Sequence, residues 1–67
     1  MGSNKLLGKN IKKARLDAEL TQAQVADKAG IHVNYFARIE RGIQTPSVDV
    51  LEAIANAVKV KAAELLS

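Results

Sequence analysis

The chain contains no cysteine, one histidine and one proline among its 67 residues. The absence of cysteine excludes disulfides, and the lone imidazole of His32 cannot hold a zinc ion, so we expect no metal site and no cofactor. A chain of this length buries only about 60% of the surface that its unfolded form exposes. We therefore predict a single domain, residues 1–67, whose small core depends on helix packing or on a second copy.

Long apolar runs are also absent. No segment approaches the roughly 20 apolar residues that span a bilayer, and residues 1–10 lack the apolar region of a secretory signal. We expect no membrane contact and a cytoplasmic location. Only Tyr35 and Phe36 are aromatic, so Leu, Ile, Val and Ala must supply the core, and many of these residues favour helix.

The net charge of +3 is unevenly distributed. Five cations precede Asp17, the first acidic residue: Lys5, Lys9, Lys12, Lys13 and Arg15. From charge alone, a solvated helix face is the favoured interpretation, and a surface for a polyanion is the alternative.

Apolar residues at helical spacing predict an all-α fold, a compact five-helix bundle. Helix one is predicted between Leu7 and Ala18. Thr21 and Gln24 form a Thr-x-x-Gln capping box, so helix two should begin near Gln22 and end at Gly30.

Helix three follows after a few residues and should end at Arg41, before Gly42. With Phe36 placed inward and a turn of 100° per residue, its core face also carries Ile39, His32 and Glu40. Its outward face carries Asn34, Arg38 and Arg41. Pro46 and Ser47 are predicted to open helix four, and a last short helix carries Leu65 and Leu66.

Two short helices joined by a tight glycine turn are typical of the DNA-binding helix-turn-helix, whose second helix enters the major groove. The motif is predicted at about residues 22–41. From about Leu7 to Leu66 the chain resembles the Xre/Cro family of phage and bacterial repressors, which includes restriction-modification controller proteins. The matching positions are Thr21, Gln22, Val25, Ala26, Ala29, Gly30, Ile31, Tyr35, Phe36, Arg38, Ile39, Glu40, Arg41, Gly42, Pro46 and Ser47.

The resemblance implies a lambda-repressor-like fold and a sequence-specific transcription regulator, a repressor or a controller, that binds double-stranded DNA. In relatives the side chains that read bases lie at the first, second and sixth positions of helix three, here Val33, Asn34 and Arg38. Helical geometry adds the small Ala37 to this surface. An apolar Val33 suits a thymine methyl group, provided that it does not belong to the core.

Contacts with DNA phosphates are expected from a separate set of residues: Gln22, His32, Arg41, Gln44 and Thr45. Gln22 matches a glutamine that holds a phosphate at the start of helix two in relatives. His32 replaces the Ser or Thr cap usual in relatives, which leaves its role open. If its ring reaches a phosphate, binding should tighten toward pH 6.

Arg15 and Glu40 both lie near predicted core faces, where neither charge should remain unpaired. We therefore predict an Arg15–Glu40 ion pair that joins helices one and three, as the resemblance also implies. Lys59 stands where relatives often end helix four with a glycine, so it is a candidate for a left-handed conformation.

No catalytic set of side chains and no phosphate-binding glycine loop is present, so we expect no enzyme. One recognition helix covers a half-site, so we expect a homodimer on a palindromic operator. The expected interface lies in helices four and five and includes Val48, Val50, Val60, Leu65 and Leu66. No small-molecule effector is expected. The alternative function is a protein-binding module, such as the DNA-binding antitoxin of a toxin-antitoxin pair.

Overall fold

The computed structural model describes residues 3–67, which form five α-helices: α1 (Ser3–Asp17), α2 (Gln22–Ala29), α3 (Val33–Glu40), α4 (Val48–Ala57) and α5 (Ala62–Leu65). The described residues include no strand, so the predicted all-α class is confirmed. Helix α1 begins at Ser3 rather than near Leu7, and it ends at Asp17 rather than Ala18. None of the helices in this part of the chain has the length and apolar character needed to cross a bilayer.

Aliphatic side chains and a single aromatic ring form the core. Helix α2 packs against α3 and α4, while α1 packs against α3 and α5. The largest side chains that are completely buried are Phe36, Ile11, Ile39, Ile54, Leu65 and Val25. Every helix contributes at least one of them, so the core fixes α3 relative to the rest of the bundle.

Helices α2 and α4 begin with the N-caps that the sequence predicts. The Thr21 hydroxyl accepts the Gln24 N–H at 3.0 Å, and the Gln24 side chain accepts the Thr21 N–H at 2.9 Å. The Ser47 hydroxyl accepts the Val50 N–H at 3.2 Å and caps α4. Each bond satisfies a donor that the first helical turn leaves without a partner.

A residue with positive φ follows the C-terminal end of each of the first four helices. These residues are Glu19 (61°), Gly30 (73°), Gly42 (79°) and Lys59 (64°). After each one, the next N–H donates to a carbonyl five residues back, as in the Leu20–Arg15 and Val60–Ala55 bonds of 3.1 Å and 3.0 Å. The left-handed Lys59 follows the sequence expectation, whereas Glu19 carries no sequence signal for this conformation.

Candidate nucleic-acid interface

The turn between α2 and α3 sets the angle at which α3 leaves α2. Gly30 adopts the left-handed conformation, and the N–H of Ile31 donates to the Ala26 carbonyl at 2.9 Å. His32 then takes extended backbone angles, and its Nδ1 accepts the Asn34 N–H at 3.0 Å. His32 is therefore the N-cap of α3.

The placement of His32 on the core face of helix three is wrong. The residue is exposed and precedes the helix, so the 100° rotation between helical residues does not apply to it. Because its Nδ1 accepts a hydrogen bond, the neutral ring carries its proton on Nε2. A neutral His32 thus keeps one N–H donor besides its capping bond.

Glu40 is the centre of a buried polar network at the opposite end of α3. Its carboxylate accepts from Arg15 Nε at 2.6 Å and from Arg15 Nη2 at 3.2 Å. Gln22 Nε2 donates to Glu40 Oε1 at 2.9 Å, and Arg15 Nη1 donates to the Leu20 carbonyl at 3.0 Å. The ion pair expected from the sequence is present, and it links α1, α3 and the start of α2.

The outward face of α3 carries polar side chains that have long reach. Asn34, Arg38 and Arg41 are exposed, and Ala37 between them is half-buried. The ion pairs among residues 3–67 are Lys13–Asp17 and Arg15–Glu40, so neither Arg38 nor Arg41 is held by a carboxylate. Both guanidinium groups are available to an external acceptor.

Val33 belongs partly to the core. It is half-buried and packs against the buried cluster, as does Tyr35. Only part of its side chain therefore remains for an external apolar group, which weakens the expected contact with a thymine methyl group. Asn34 and Arg38 are the two expected base-reading residues that lie fully on the outer face.

Gln22 is half-buried, and its amide nitrogen is engaged by Glu40. The amide still has a second N–H and a carbonyl oxygen. A contact with a phosphate would therefore come from a side chain that the buried ion pair already orients. The periodicity of the sequence gives no signal for this link, because Gln22 and Glu40 lie in different helices.

The remaining expected phosphate contacts lie at and after the end of α3. Arg41 is its exposed C-cap residue, Gln44 is half-buried, and Thr45 is exposed. The Thr45 hydroxyl accepts the Asn4 amide N–H at 2.7 Å. This bond connects the loop between α3 and α4 to the start of α1.

Gly8 is a structural residue that the sequence analysis missed. It is buried in α1, and a Cβ at this position would lie 2.7 Å from the Ile39 carbonyl oxygen. The available signal was the glycine itself, since a glycine within a helix lowers stability unless close packing requires it.

An open groove of about 530 Å³ lies away from this face of α3, between the C-terminal ends of α1 and α4 and the short α5. Its walls include Ala14, Leu20, Val58 and Leu65, with Lys28 and Lys59 among the charged residues that line it. An open groove neither supports nor contradicts the expectation that the protein has no small-molecule effector. That expectation stays a prediction.

Two short helices, a left-handed glycine turn and an outward row of polar side chains on the second helix define a helix-turn-helix domain. The model of the family described as helix-turn-helix matches residues 11–65. The chain belongs to this family of DNA-binding transcription regulators, which is not enzymatic. Both the predicted family and the predicted absence of enzymatic function are confirmed.

Named relatives agree with this assignment. The chain is 38% identical over 60 residues to the immunity repressor protein of Bacillus phage phi105, a match that covers 90% of this chain and 42% of the repressor. It is 34% identical over 67 residues to the uncharacterized HTH-type transcriptional regulator y4dJ of Sinorhizobium fredii, covering 100% of this chain and 87% of the regulator. The chain spans about two fifths of the length of the first relatives that it matches.

The fold also has a close counterpart among solved structures. The restriction-modification controller protein C.AhdI from Aeromonas hydrophila superposes with a TM-score of 0.93, at 23% identity, over 97% of this chain and 98% of that protein. The likeness covers all five helices and confirms the predicted bundle.

Proposed function

We propose that residues 1–67 form a single DNA-binding domain, with the helix-turn-helix at about residues 22–41, that regulates transcription by occupying a palindromic operator as a homodimer. The observation that supports this proposal most directly is the two-sided character of α3. Its inner face is held by Phe36, Ile39 and the Glu40 network, while Arg38 and Asn34 project outward. A fixed helix with exposed donors has the form required to read base edges in the major groove.

The proposed base contacts divide by chemistry. The Arg38 guanidinium suits guanine O6 and N7, and the Asn34 amide suits adenine N6 and N7. Ala37 and the exposed part of Val33 line the surface between them. Gln22, His32, Arg41, Gln44 and Thr45 would bind phosphates and set the register without reading sequence.

The homodimer would use exposed apolar side chains of α4 and the segment after α5. Val48 is 72% exposed and Leu66 is 63% exposed. Leu65 is 2% exposed and belongs to the core, and Val50 and Val60 pack partly against it, so these three are not the centre of an interface. The sequence pattern predicts one apolar interface for all five of the residues expected there. Helices α4 and α5 in fact have several apolar faces, and only some of these faces are covered within the chain.

A shallow apolar groove of about 270 Å³ adjoins the exposed Leu66. Leu6, Pro46 and Leu51 also line it. A bundle with extents of 29, 21 and 20 Å allows two copies to place their recognition helices about 34 Å apart, the spacing of successive major grooves on one face of DNA. We therefore place the interface around Val48, Leu66 and this groove.

Selection of binding sites from random duplex DNA tests the function. We expect enrichment of one palindromic sequence, and a promoter that overlaps this site should change its transcription in vitro when the protein is added. Failure to enrich any sequence, with the protein folded, would contradict the proposal.

Sedimentation tests the dimer. Val48→Glu and Leu66→Glu should yield monomers, whereas Leu16→Glu, a change at a 56% exposed position on α1, should leave the dimer intact.

A second candidate function, the DNA-binding antitoxin, is favoured by the same exposed apolar residues if another protein covers them. A wild-type chain that stays monomeric at high micromolar concentration would support this alternative. The cytoplasmic location is part of the proposal, because the operator lies there.

A further inference from the structure

Three lysines form a row along one face of α1. Lys5, Lys9 and Lys12 follow one another at helical spacings of four and three residues, and all three are exposed. No carboxylate of the described chain forms an ion pair with any of them. The other cations of α1 are paired, since Lys13 Nζ lies 3.3 Å from Asp17 Oδ2 and Arg15 binds Glu40.

The row lies beside the recognition helix. Gly8 of α1 lies against the end of α3, and Lys12 lies one helical turn further along the same edge. A Cβ on Gly42 would lie 2.9 Å from Lys5 Cγ, so the Lys5 side chain runs over the residue that follows Arg41. Lys5 therefore extends the positive surface of α3 onto α1.

We infer that this lysine row is a second phosphate-binding surface, which contacts the DNA backbone beside the major groove that α3 enters. The inference rests on the proposed function and adds a set of contacts to it. From Lys5 to Lys12 the helix rises about 10 Å, at 1.5 Å per residue. One DNA strand presents a phosphate every 3.4 Å along the axis, so the row spans about three phosphates.

Charge supports a polyanion as the occupant. Like charges at these spacings on a helix repel one another, and no acid among the described residues forms an ion pair with these lysines. DNA phosphates would relieve that repulsion and release counterions. The contacts would raise the affinity for every sequence equally, because phosphates carry no base information.

The test compares two triple variants of equal charge. Lys5, Lys9 and Lys12 are changed to Gln in one, and Lys28, Lys59 and Lys61, at or beyond the C-terminal ends of α2 and α4, are changed to Gln in the other. Glutamine has a helix propensity close to that of lysine, so both variants should fold. Affinity for the selected operator and for a random duplex of equal length is measured from 50 to 200 mM salt.

For the lysine-row variant we expect the slope of log K against log salt to fall in magnitude by about 2.7 per bound protomer, from 0.9 per lost phosphate contact. Between 50 and 200 mM salt, its affinity should therefore change about 40-fold less than that of the wild type for each bound protomer. The effect should be equal on both duplexes, and the control variant should keep the wild-type slope.

Equal slopes for the wild type and the lysine-row variant would overturn the inference while leaving the proposed function intact. Equal losses in the two triple variants would also overturn it, since they would show a general charge effect. Leu6 and Leu16 are exposed on the same helix, so vesicles that contain anionic lipid are included as a third ligand. Lysine-dependent vesicle binding with an unchanged DNA slope would assign the row to a membrane surface instead. A wild-type protein that binds neither duplex would overturn both the inference and the proposed function.

Discussion

Gly8 of α1 lies directly against the backbone of Glu40 in α3. A Cβ at this glycine would lie 2.9 Å from the Glu40 carbonyl carbon and would overlap the Glu40 carbonyl oxygen. Both atoms belong to the backbone, so no side-chain rotation relieves the overlap. The contact sets how closely the recognition helix approaches α1, immediately beside the Arg15–Glu40 pair.

The variant Gly8→Ala should therefore destabilise the protein by about 1 to 3 kcal/mol, because the added methyl group overpacks this contact. An ordinary glycine-to-alanine change within a helix would instead stabilise by roughly 0.5 to 1 kcal/mol. Urea unfolding of Gly8→Ala beside Lys9→Ala, its exposed neighbour, measures the difference. A Gly8→Ala variant more stable than the wild type would show that α1 and α3 do not make this contact.

The Glu40 network should dominate stability at this end of α3. In Glu40→Ala, the buried guanidinium of Arg15, a residue that is 8% exposed in the wild type, loses its carboxylate, and a loss of about 3 to 5 kcal/mol is expected. The matched surface variant Asp17→Ala removes the partner of Lys13 and should cost at most about 1 kcal/mol. Thermal unfolding compares the two, and similar small losses would show that the buried pair contributes little.

The sequence predicts the Arg15–Glu40 ion pair but not the hydrogen bond that Gln22 adds to it. Arg15 and Glu40 fall on core faces of their helices, and burial of a charge requires a partner. The bond from Gln22 to Glu40 depends on how α2 and α3 are oriented relative to each other, which no periodicity within one helix reveals. The Gly8 contact has the same origin, since it depends on the distance between two helices.

Some helix ends could be predicted from the sequence and others could not. The glycines at positions 30 and 42 predict left-handed caps, because glycine adopts positive φ without steric cost, and Gly30 and Gly42 both do so. Glu19 adopts the same conformation although its side chain disfavours it, and the Leu20 N–H donates to the Arg15 carbonyl at 3.1 Å across this turn. The residue type at position 19 therefore gives no signal for the end of α1.

The non-glycine caps offer a stability test. Lys59→Gly and Glu19→Gly should each stabilise the protein by about 0.5 to 1 kcal/mol, because glycine removes the left-handed penalty of about 1 to 2 kcal/mol but loses more entropy on folding. Glu52→Gly, at an exposed position within α4, should instead cost about 1 kcal/mol. If both cap variants are destabilised in urea, the lysine and glutamate side chains make stabilising contacts that outweigh the backbone strain.

The N-cap of α3 offers a further stability test. His32 Nδ1 accepts the Asn34 N–H at 3.0 Å. His32→Ala leaves that N–H without a side-chain acceptor and should cost about 1 kcal/mol, whereas His32→Ser keeps a hydroxyl acceptor and should not. Urea unfolding compares the two variants, and equal stability would show that the capping bond does not contribute.

His32 is also one of the proposed phosphate contacts. If its Nε2 N–H reaches a phosphate, His32→Ser should weaken binding to operator and random DNA alike. Equal affinities of the wild type and His32→Ser would leave the cap as the function of His32 and remove it from the phosphate contacts.

Arg38 and Arg41 separate base reading from general attraction to DNA. Both are exposed arginines at one end of the same helix, and neither forms an ion pair within the described chain, so alanine at each removes the same charge. Gln22 serves less well for this comparison, because its loss would also leave Glu40 with one hydrogen bond fewer. If Arg38 binds guanine O6 and N7, Arg38→Ala should weaken operator binding by about 1 to 3 kcal/mol per half-site and flatten the preference for guanine at one position. Arg41→Ala should weaken binding to operator and random DNA alike and lower the salt slope by about 0.9 per protomer.

Titrations of both variants on the operator, on an operator with the guanine replaced, and on random DNA make this comparison. The replaced operator is the deciding ligand, because a variant that has lost its guanine contact should bind it as well as it binds the original. If Arg38→Ala still prefers the original operator by the wild-type factor, and its affinity for random DNA falls equally, Arg38 is a phosphate contact. Base reading would then fall to Asn34, Ala37 and the exposed part of Val33.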